Sequence, residues 1–514
     1  MTEKWGIIIY KLPAQKVLGL QDQCPGKTTC KNLRLVFNTI LCYFISMKIS
    51  TEKSELSGEI SVPGSKSHTI RALLLAAMSD GVCKISNPLP SEDCLSTYAA
   101  LPLIGASANL GESSGGSPSK TWTVYGAGEK LHLPSDVVNV GNSGSLLYFL
   151  SPIAATFSGW SIFTGDESIR KRPVHHVVDA LNQLGAKACT SVPGSSTCPL
   201  LIQGPISAKN KITTGGTVSS QYISGLMMAA LRLNGTLQIE LTDPKETPYL
   251  TMTQKWLESV GAKVQISPDF KHIEVQGPVK IKAFDTTIPS DWEAVAFPLV
   301  AALITNSDIT IKDIDGSGTQ GDEAIVQVLK SLGADIEWNK EAKTLRVRGL
   351  KKSSDGIGRL STENLPGKEL HVNLSGYPDA ICAVAAIACF TEGKVFIEDI
   401  SVCRRKETDR IKVLHEELAK LGAVTEEGKD YFVIHGHSPI KADGSANPEF
   451  SLHGANVESY KDHRVAMALA CMGLALGQKE KIIVNDAECC AVSFPDFFKV
   501  MGGIGAKFYE EHAE

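Results

Sequence analysis

Six times in this chain a helix-like segment ends in Leu, Val or Ile followed by Gly-Ala and runs directly into a strand-like segment. The glycines are Gly105, Gly185, Gly261, Gly333, Gly422 and Gly505, in the contexts LPLIGASANL, LNQLGAKACT, LESVGAKVQI, LKSLGADIEW, LAKLGAVTEE and MGGIGAKFYE. Glycine there supplies the positive φ that closes a helix, and the residues beyond tend to alternate apolar and polar like a half-buried strand. Successive glycines lie 80, 76, 72, 89 and 83 residues apart. That period is too long for a solenoid repeat and long enough for a unit of two helices and several strands. Six such units form either one array or two bodies of three. A length of 514 residues exceeds what one hydrophobic core normally supports, which favours two or more domains.

Between the glycines, short stretches rich in Val, Ile and Thr read as strands, for instance 211–217, 309–313 and 481–485. Segments 221–233, 379–390 and 465–476 are apolar around the whole circumference, and a helix without a polar face is normally buried. The pattern therefore places helices inside and sheets outside. No run of eighteen apolar residues occurs, which argues against a membrane-spanning helix.

Residues 1–46 differ from the rest, with six Lys or Arg against two acids and an interrupted apolar patch at 33–45. The patch is short for a bilayer span and far from the start for a secretory signal. We expect a dispensable leader before Met47, with a targeting peptide as the alternative. Pro25-Gly26-Lys27-Thr28 is not a phosphate loop, because the position that loop needs as glycine is Gln21. The formal charge of −5 argues against a general nucleic-acid binder. Thirteen scattered cysteines, with Cys489-Cys490 lacking a second pair, read as reduced thiols in a cytoplasmic protein and not as a zinc site.

The charged clusters carry the chemistry. Pro63-Gly64-Ser65-Lys66-Ser67 leads into an apolar helix with Arg71 one turn in. Free backbone N–H groups and the helix dipole favour an anion at such a start, and Lys66, Ser67 and Arg71 add two charges and a hydroxyl. Ser168-Ile169-Arg170-Lys171-Arg172-Pro173 precedes a helix over 174–184. Cys403 to Arg410, reading CRRKETDR, opens the helix ending at Leu421. There Lys406 and Arg410 are spaced to share a helix face, and Glu407 and Arg410 to tune one another. Asp462-His463-Arg464 opens another buried helix. Gly141-Asn142-Ser143-Gly144-Ser145, Ser219-Ser220-Gln221 and Asp379 mark three further helix starts. Lys66, Asn142, Arg172, Ser219, Asp379, Lys406 and Arg464 thus all lie at or near helix starts. Convergence of these ends on one cleft makes a site for substrates with several phosphates or carboxylates.

Other motifs fare worse. Gly111-Glu112-Ser113-Ser114-Gly115 spells G-x-S-x-G in a polar loop, and His415-Glu416 lacks the second His of a zincin. The stretch 316–321, GSGTQG, matches a dinucleotide fingerprint but sits late, inside one of the repeats, and reads as a glycine turn. His175-His176 are adjacent and so face different ways, which suits packing or capping better than metal ligation.

Taken in order, P-G-S-K-S with Arg71, G-N-S-G, K-R-P, V-S-S-Q, P-D-A, R-x-K-E-T-D-R, D-H-R and S-F-P-D-F make the chain from Met47 onward resemble the 5-enolpyruvylshikimate-3-phosphate synthase family. The resemblance implies an α/β fold, a two-domain inverted α/β barrel of six βαβαββ units, three per domain. Domain I would be 47–65 plus 289–514 and domain II 66–288. The implied reaction moves the enolpyruvyl group of phosphoenolpyruvate to the 5-hydroxyl of shikimate 3-phosphate and releases phosphate, a step toward aromatic amino acids. It implies no metal or organic cofactor, no nucleic-acid or membrane partner, and a monomer. Shikimate 3-phosphate would be held by Lys66, Ser67, Arg71, Ser219, Ser220, Gln221, Asp379 and Lys406. Phosphoenolpyruvate would be held by Lys66, Asn142, Gly144, Arg172, Gln221, Arg410 and Arg464. Asp379 suits the base at the hydroxyl; Glu407, with Lys66 assisting, suits the proton donor to the methylene.

Three positions depart from that family. Val492 stands in place of a lysine, Tyr148 in place of an arginine and Val402 in place of an asparagine. Loss of the lysine predicts weaker phosphoenolpyruvate binding and weaker inhibition by a glyphosate-type analogue, unless Arg404, Arg405 or Arg170 compensates. Two rival readings remain: a weakly active or non-catalytic anion binder, and the sister transferase acting on UDP-N-acetylglucosamine. The latter carries a Lys-Asn pair where Lys66-Ser67 stands, and a reactive Cys on a loop that has none here.

Overall fold

The computed structural model describes residues 47–111, 120–350, 352–353, 356–477 and 479–511. The leader with its Pro25–Thr28 tetrapeptide, and the serine motif at 112–115, lie outside the described residues.

The Gly-Ala endings build the frame. At each, the alanine N–H donates to the carbonyl five residues back: Ala106 to Leu101, Ala186 to Leu181, Ala262 to Leu257, Ala334 to Leu329, Ala423 to Leu418 and Ala506 to Met501. Each glycine N–H also bonds the carbonyl three residues back, completing a Schellman closure. All six glycines have φ between 85° and 107°. At Gly185 and Gly261 nothing lies within 4 Å of where a Cβ would stand, so the sign of φ, not lack of room, demands glycine. The accepting Leu or Met is fully buried in every case.

Each closure hands the chain to a four-stranded sheet, and the six sheets share one pattern of a parallel pair followed by two antiparallel pairs. In one, Ile212–Thr214 runs parallel to Gly235–Leu241, which pairs antiparallel with His272–Gly277 and then Lys263–Ile266. Three sheets take their strands from 82–287, and three from 48–61 together with 308–511. A small hairpin at Lys352–Ser353 and Gly356–Ile357 stands apart.

Under the sheets lie six inner helices: α1 (Lys66–Met78), α2 (Gly144–Ala154), α3 (Gln221–Ala230), α4 (Trp292–Ile304), α5 (Ile381–Ala388) and α6 (His463–Gly473). Nearly every residue in them is buried, as their lack of a polar face predicts. The βαβαββ units of an inverted α/β barrel are therefore present. Element ends differ from the sequence expectation where glycine or a turn intervenes. The strand expected over 211–217 stops at Thr214, before Gly215-Gly216 bends toward α3. The helix expected from Asp379 begins with a 3-10 turn, Pro378–Ala380. No helix among the described residues is long and apolar enough to cross a membrane.

Candidate active site

The starts of the inner helices meet. The Lys66 N–H at the head of α1 donates to Asp291 Oδ2 at 2.9 Å, and Asp291 is also the N-cap of α4. Gln221, first in α3, donates to Ser145 Oγ in α2 at 3.0 Å. Arg464 in α6 bonds Glu293 in α4 and lies 3.6 Å from Asp379, ahead of α5. A Cβ at Gly144 would stand 2.6 Å from the Arg172 guanidinium, so a side chain there would displace that arginine. Asn142 holds the preceding turn through Asp166 Oδ2 at 2.7 Å.

Arg410 is the hub. It is wholly buried, donates to Asp462 Oδ2 at 2.8 Å and to Glu407 Oε2 at 2.7 Å, and bonds Asp379. Arg172 reaches the other Glu407 oxygen at 2.9 Å across 235 residues of sequence. Lys406 lies 2.8 Å from Glu246 and 3.5 Å from Asp379. The CRRKETDR run is not one helix opening, however. Ser401–Arg405 is a 3-10 turn, Lys406 has extended-type ψ, and the helix starts at Arg410 behind an Asp409 cap. Lys406 and Arg410 meet on Asp379 through that bend, not by sharing a helix face.

Lys66, Arg172, Lys406, Arg410, Arg464, Asp379 and Glu407 thus come together, with Ser219, Ser220 and Gln221 at the adjoining head of α3. The surplus of positive charge expected there is absent. Each of these five cations has a carboxylate partner: Asp93 for Lys66 at 3.1 Å, Glu407 for Arg172, Glu246 for Lys406, Asp462 for Arg410 and Glu293 for Arg464. Burial favours neutral side chains here, yet the pairing overrides it. Lys66 is held above its ordinary pKa by Asp93 and Glu293, and Lys406 by Asp379 and Glu246. Burial would raise the Asp379 carboxyl, but Lys406, Arg464 and Arg410 hold it far below the usual range. Glu407 is likewise held low against burial by Arg410 and Arg172. Both carboxylates are therefore firmly ionised in this state.

Arg71 behaves differently. Only 1% exposed, it donates to Thr253 Oγ1, the Ser67 carbonyl and Ser224 Oγ, and stacks over Phe149. Through the Ser67 carbonyl it is tied to the head of α1. Sequence reasoning passed over Asp93, Glu246, Asp291, Glu293 and Tyr249; the Tyr249 hydroxyl donates to Glu293 at 2.6 Å. Their one local signal is that each stands near a helix start.

The departures fall into three settings. The Tyr148 hydroxyl donates to the Pro173 carbonyl at 2.8 Å, and burial pushes its pKa up to about 12. Val492 and Val402 are buried. Arg404 is tied to Asp409, Glu427 and two backbone carbonyls, and Arg170 to the Gly165 carbonyl. His176 packs edge-on against Tyr222, with ring centroids 4.5 Å apart, in the packing role expected of it. The 316–321 glycine turn closes on itself: Asp315 accepts from Ser317 and Gln320, and Trp292 Nε1 bonds the Asp315 carbonyl. Among the described residues one group has metal-ligand spacing, Glu392, His437 and Glu449. Glu392 there already accepts from Ser438 N and Asn447 Nδ2.

Comparison with known proteins adds to this geometry. Residues 50–501 match the family model described as EPSP synthase (3-phosphoshikimate 1-carboxyvinyltransferase). A relative from Ruminiclostridium cellulolyticum named 3-phosphoshikimate 1-carboxyvinyltransferase is 34% identical over 90% of this chain and 99% of its own. One of the same name from Methanosarcina acetivorans is 35% identical over 90% and 98%. The solved EPSP synthase of Acinetobacter baumannii superposes with a TM-score of 0.71 at 25% identity, over 91% of this chain and all of that one. The enolpyruvyl transferase NikO of Streptomyces tendae, at 15% identity and a TM-score of 0.69, shares the fold.

Proposed function

Since this chain belongs to the EPSP synthase (3-phosphoshikimate 1-carboxyvinyltransferase) family, we propose that the cleft described above performs that family's reaction with the following division of labour. The enzyme transfers the enolpyruvyl group of phosphoenolpyruvate to shikimate 3-phosphate and releases phosphate. The observation that carries the assignment of residues is the meeting of four cations, Arg172, Lys406, Arg410 and Arg464, with Asp379 and Glu407.

Shikimate 3-phosphate is held by Lys66, Ser67, Arg71, Ser219, Ser220, Gln221, Asp379 and Lys406. Phosphoenolpyruvate is held by Lys66, Arg172, Gln221, Arg410 and Arg464, with Asn142 and Gly144 shaping the turn beside Arg172. Asp379 takes the proton of the acceptor's 5-hydroxyl as that oxygen attacks C2 of phosphoenolpyruvate, and Glu407 gives a proton to C3. The tetrahedral adduct then loses phosphate as a C3 proton returns, restoring the double bond. In the empty site Asp379, held low by Lys406, Arg464 and Arg410, is a weak base, and Glu407, held low by Arg410 and Arg172, has no proton to give. Arrival of the phosphoenolpyruvate anions draws Arg172, Arg410 and Arg464 toward the ligand, which raises both pKa values toward the working range.

The two bodies are residues 47–65 with 289–514, and 66–288, a reading supported by the division of the six sheets. A cytoplasmic monomer is part of the same proposal. The test is phosphate release from phosphoenolpyruvate with shikimate 3-phosphate, then with UDP-N-acetylglucosamine, as acceptor. Release with the first alone supports the reading; release with the second alone, or with neither, refutes it.

A further inference from the structure

Glu246 belongs to no motif in the sequence, yet its carboxylate fills an anion pocket at the head of α3. Its Oε2 accepts from the Ser220 N–H at 2.9 Å and from Ser220 Oγ at 3.1 Å, and its Oε1 from Lys406 Nζ at 2.8 Å. The side chain is 4% exposed. Its backbone lies in the left-handed region, φ 51° and ψ 37°, and its N–H donates to the Ser375 carbonyl at 2.9 Å. A non-glycine residue persists in that conformation only where its surroundings hold it there, and such positions concentrate at functional sites.

The three donors are a backbone amide at a helix start, a hydroxyl and an ammonium group. That set is as well suited to a phosphate monoester as to a carboxylate, and a phosphate has an oxygen for each donor and a second negative charge. Two anions cannot occupy it together. Lys406 also stands 3.5 Å from Asp379, so whatever enters this pocket does so beside the proposed base.

We propose that Glu246 is a specificity-determining residue for the acceptor: its carboxylate is a resident stand-in for the acceptor's phosphate, which binds by displacing it from Ser220 and Lys406. The proposal rests on the acceptor assignment above. A phosphorylated acceptor supplies the charge and the three oxygens needed to expel the carboxylate, whereas a hydroxylated acceptor without phosphate leaves Glu246 in place. The enzyme thus accepts a weaker hold on its substrate in return for a pocket closed to uncharged groups.

The test compares wild type with Glu246→Ser and the near-isosteric Glu246→Gln, which carries the measurement should the serine variant fail to fold. Isothermal titration with inorganic phosphate reads the pocket without turnover, and steady-state kinetics read it in the reaction. We expect Glu246→Ser to bind inorganic phosphate at least tenfold more tightly than wild type. Its KM for shikimate 3-phosphate falls at least tenfold and its KM for phosphoenolpyruvate stays within twofold, with Glu246→Gln moving the same way by less. An unchanged or raised KM for shikimate 3-phosphate in a folded variant overturns the proposal, as does equal phosphate binding. Absence of any turnover by wild type would instead count against the acceptor assignment, and the phosphate titration would still decide whether Glu246 guards the pocket.

Discussion

Replacing Asp379 with Asn separates chemistry from architecture in this cleft. The carboxylate is the proposed base, and its neighbours show what its loss does to the fold. Of the three cations around it, Lys406 keeps Glu246, Arg410 keeps Asp462 and Glu407, and Arg464 keeps Glu293. No buried cation is stranded, so the stability loss stays below the about 3–5 kcal/mol typical of orphaning a buried charge. Removing a positioned base costs about 10²- to 10⁴-fold in rate, or about 3–5 kcal/mol of barrier. The expected variant is folded, binds both substrates with KM values within a few-fold of wild type, and has kcat reduced by that factor. Coupled detection of released phosphate measures the rate, and thermal denaturation measures the fold. The sign of the pH effect follows from the depressed native pKa. Asp379 contributes stability that is fully present above the unfolded carboxyl value of about 3.9 and is lost as pH falls through the lower native value. The stability gap between wild type and variant should therefore be widest at neutral pH and close in strong acid. A kcat within threefold of wild type in a folded Asp379→Asn protein would refute the base assignment.

Three further outcomes are expected. Arg172→Ala leaves Glu407 paired with Arg410 and removes a charge-assisted contact worth about 1–3 kcal/mol, so KM for phosphoenolpyruvate should rise about 5- to 150-fold at saturating acceptor. Val492→Lys restores the missing cation and should lower that KM and strengthen inhibition by the glyphosate-type analogue; an unchanged KM eliminates Val492 as the cause of weak binding. His176, with both ring nitrogens unbonded and its pKa pushed down to about 3 by burial, takes up a proton more readily when unfolded. Wild-type stability should then rise with pH between about 3 and 6.5, and the drop in urea-unfolding free energy from pH 7 to pH 5 should exceed that of His176→Leu by about 2 kcal/mol.

What could be read from the sequence was local. A Schellman closure uses hydrogen bonds spanning three and five residues, so Leu-Gly-Ala announces itself wherever it occurs, and six of them gave the number of units before any contact was known. Helix starts at Lys66, Gly144, Gln221 and His463 were equally legible because caps and apolar runs are short-range signals. The pairing of charges was not. Glu246 meets Lys406 across 160 residues and Asp291 meets Lys66 across 225, and an acid at a helix start looks the same whether it caps a helix or neutralises a distant lysine. Nor does the CRRKETDR run announce that Asp409 holds Arg404, five residues back. The burial of Arg71 was equally out of reach, since it depends on Thr253 and Ser224, far along the chain.

The internal pairing changes what binding means in this cleft. An open basic cleft would attract anions at long range and lose affinity steeply with salt. On the proposed assignment, an arriving phosphate or carboxylate exchanges places with a carboxylate already bound, and the affinity is the difference between two sets of charge-assisted hydrogen bonds. That difference depends on geometry: a planar guanidinium prefers whichever anion meets its fork squarely. Arginine accordingly holds Glu407, Asp379 and Glu293 at 172, 410 and 464, the positions assigned to phosphoenolpyruvate, while lysine at 406 holds the carboxylate assigned to give way to the acceptor's phosphate. The exchange also has a chemical consequence. On the proposed roles, Lys406 and the arginines keep Asp379 and Glu407 inert, and the two carboxylates gain basicity for proton transfer when substrate anions take those cations over. Filling the site and arming it are then one event, which keeps both carboxylates quiet in an empty enzyme.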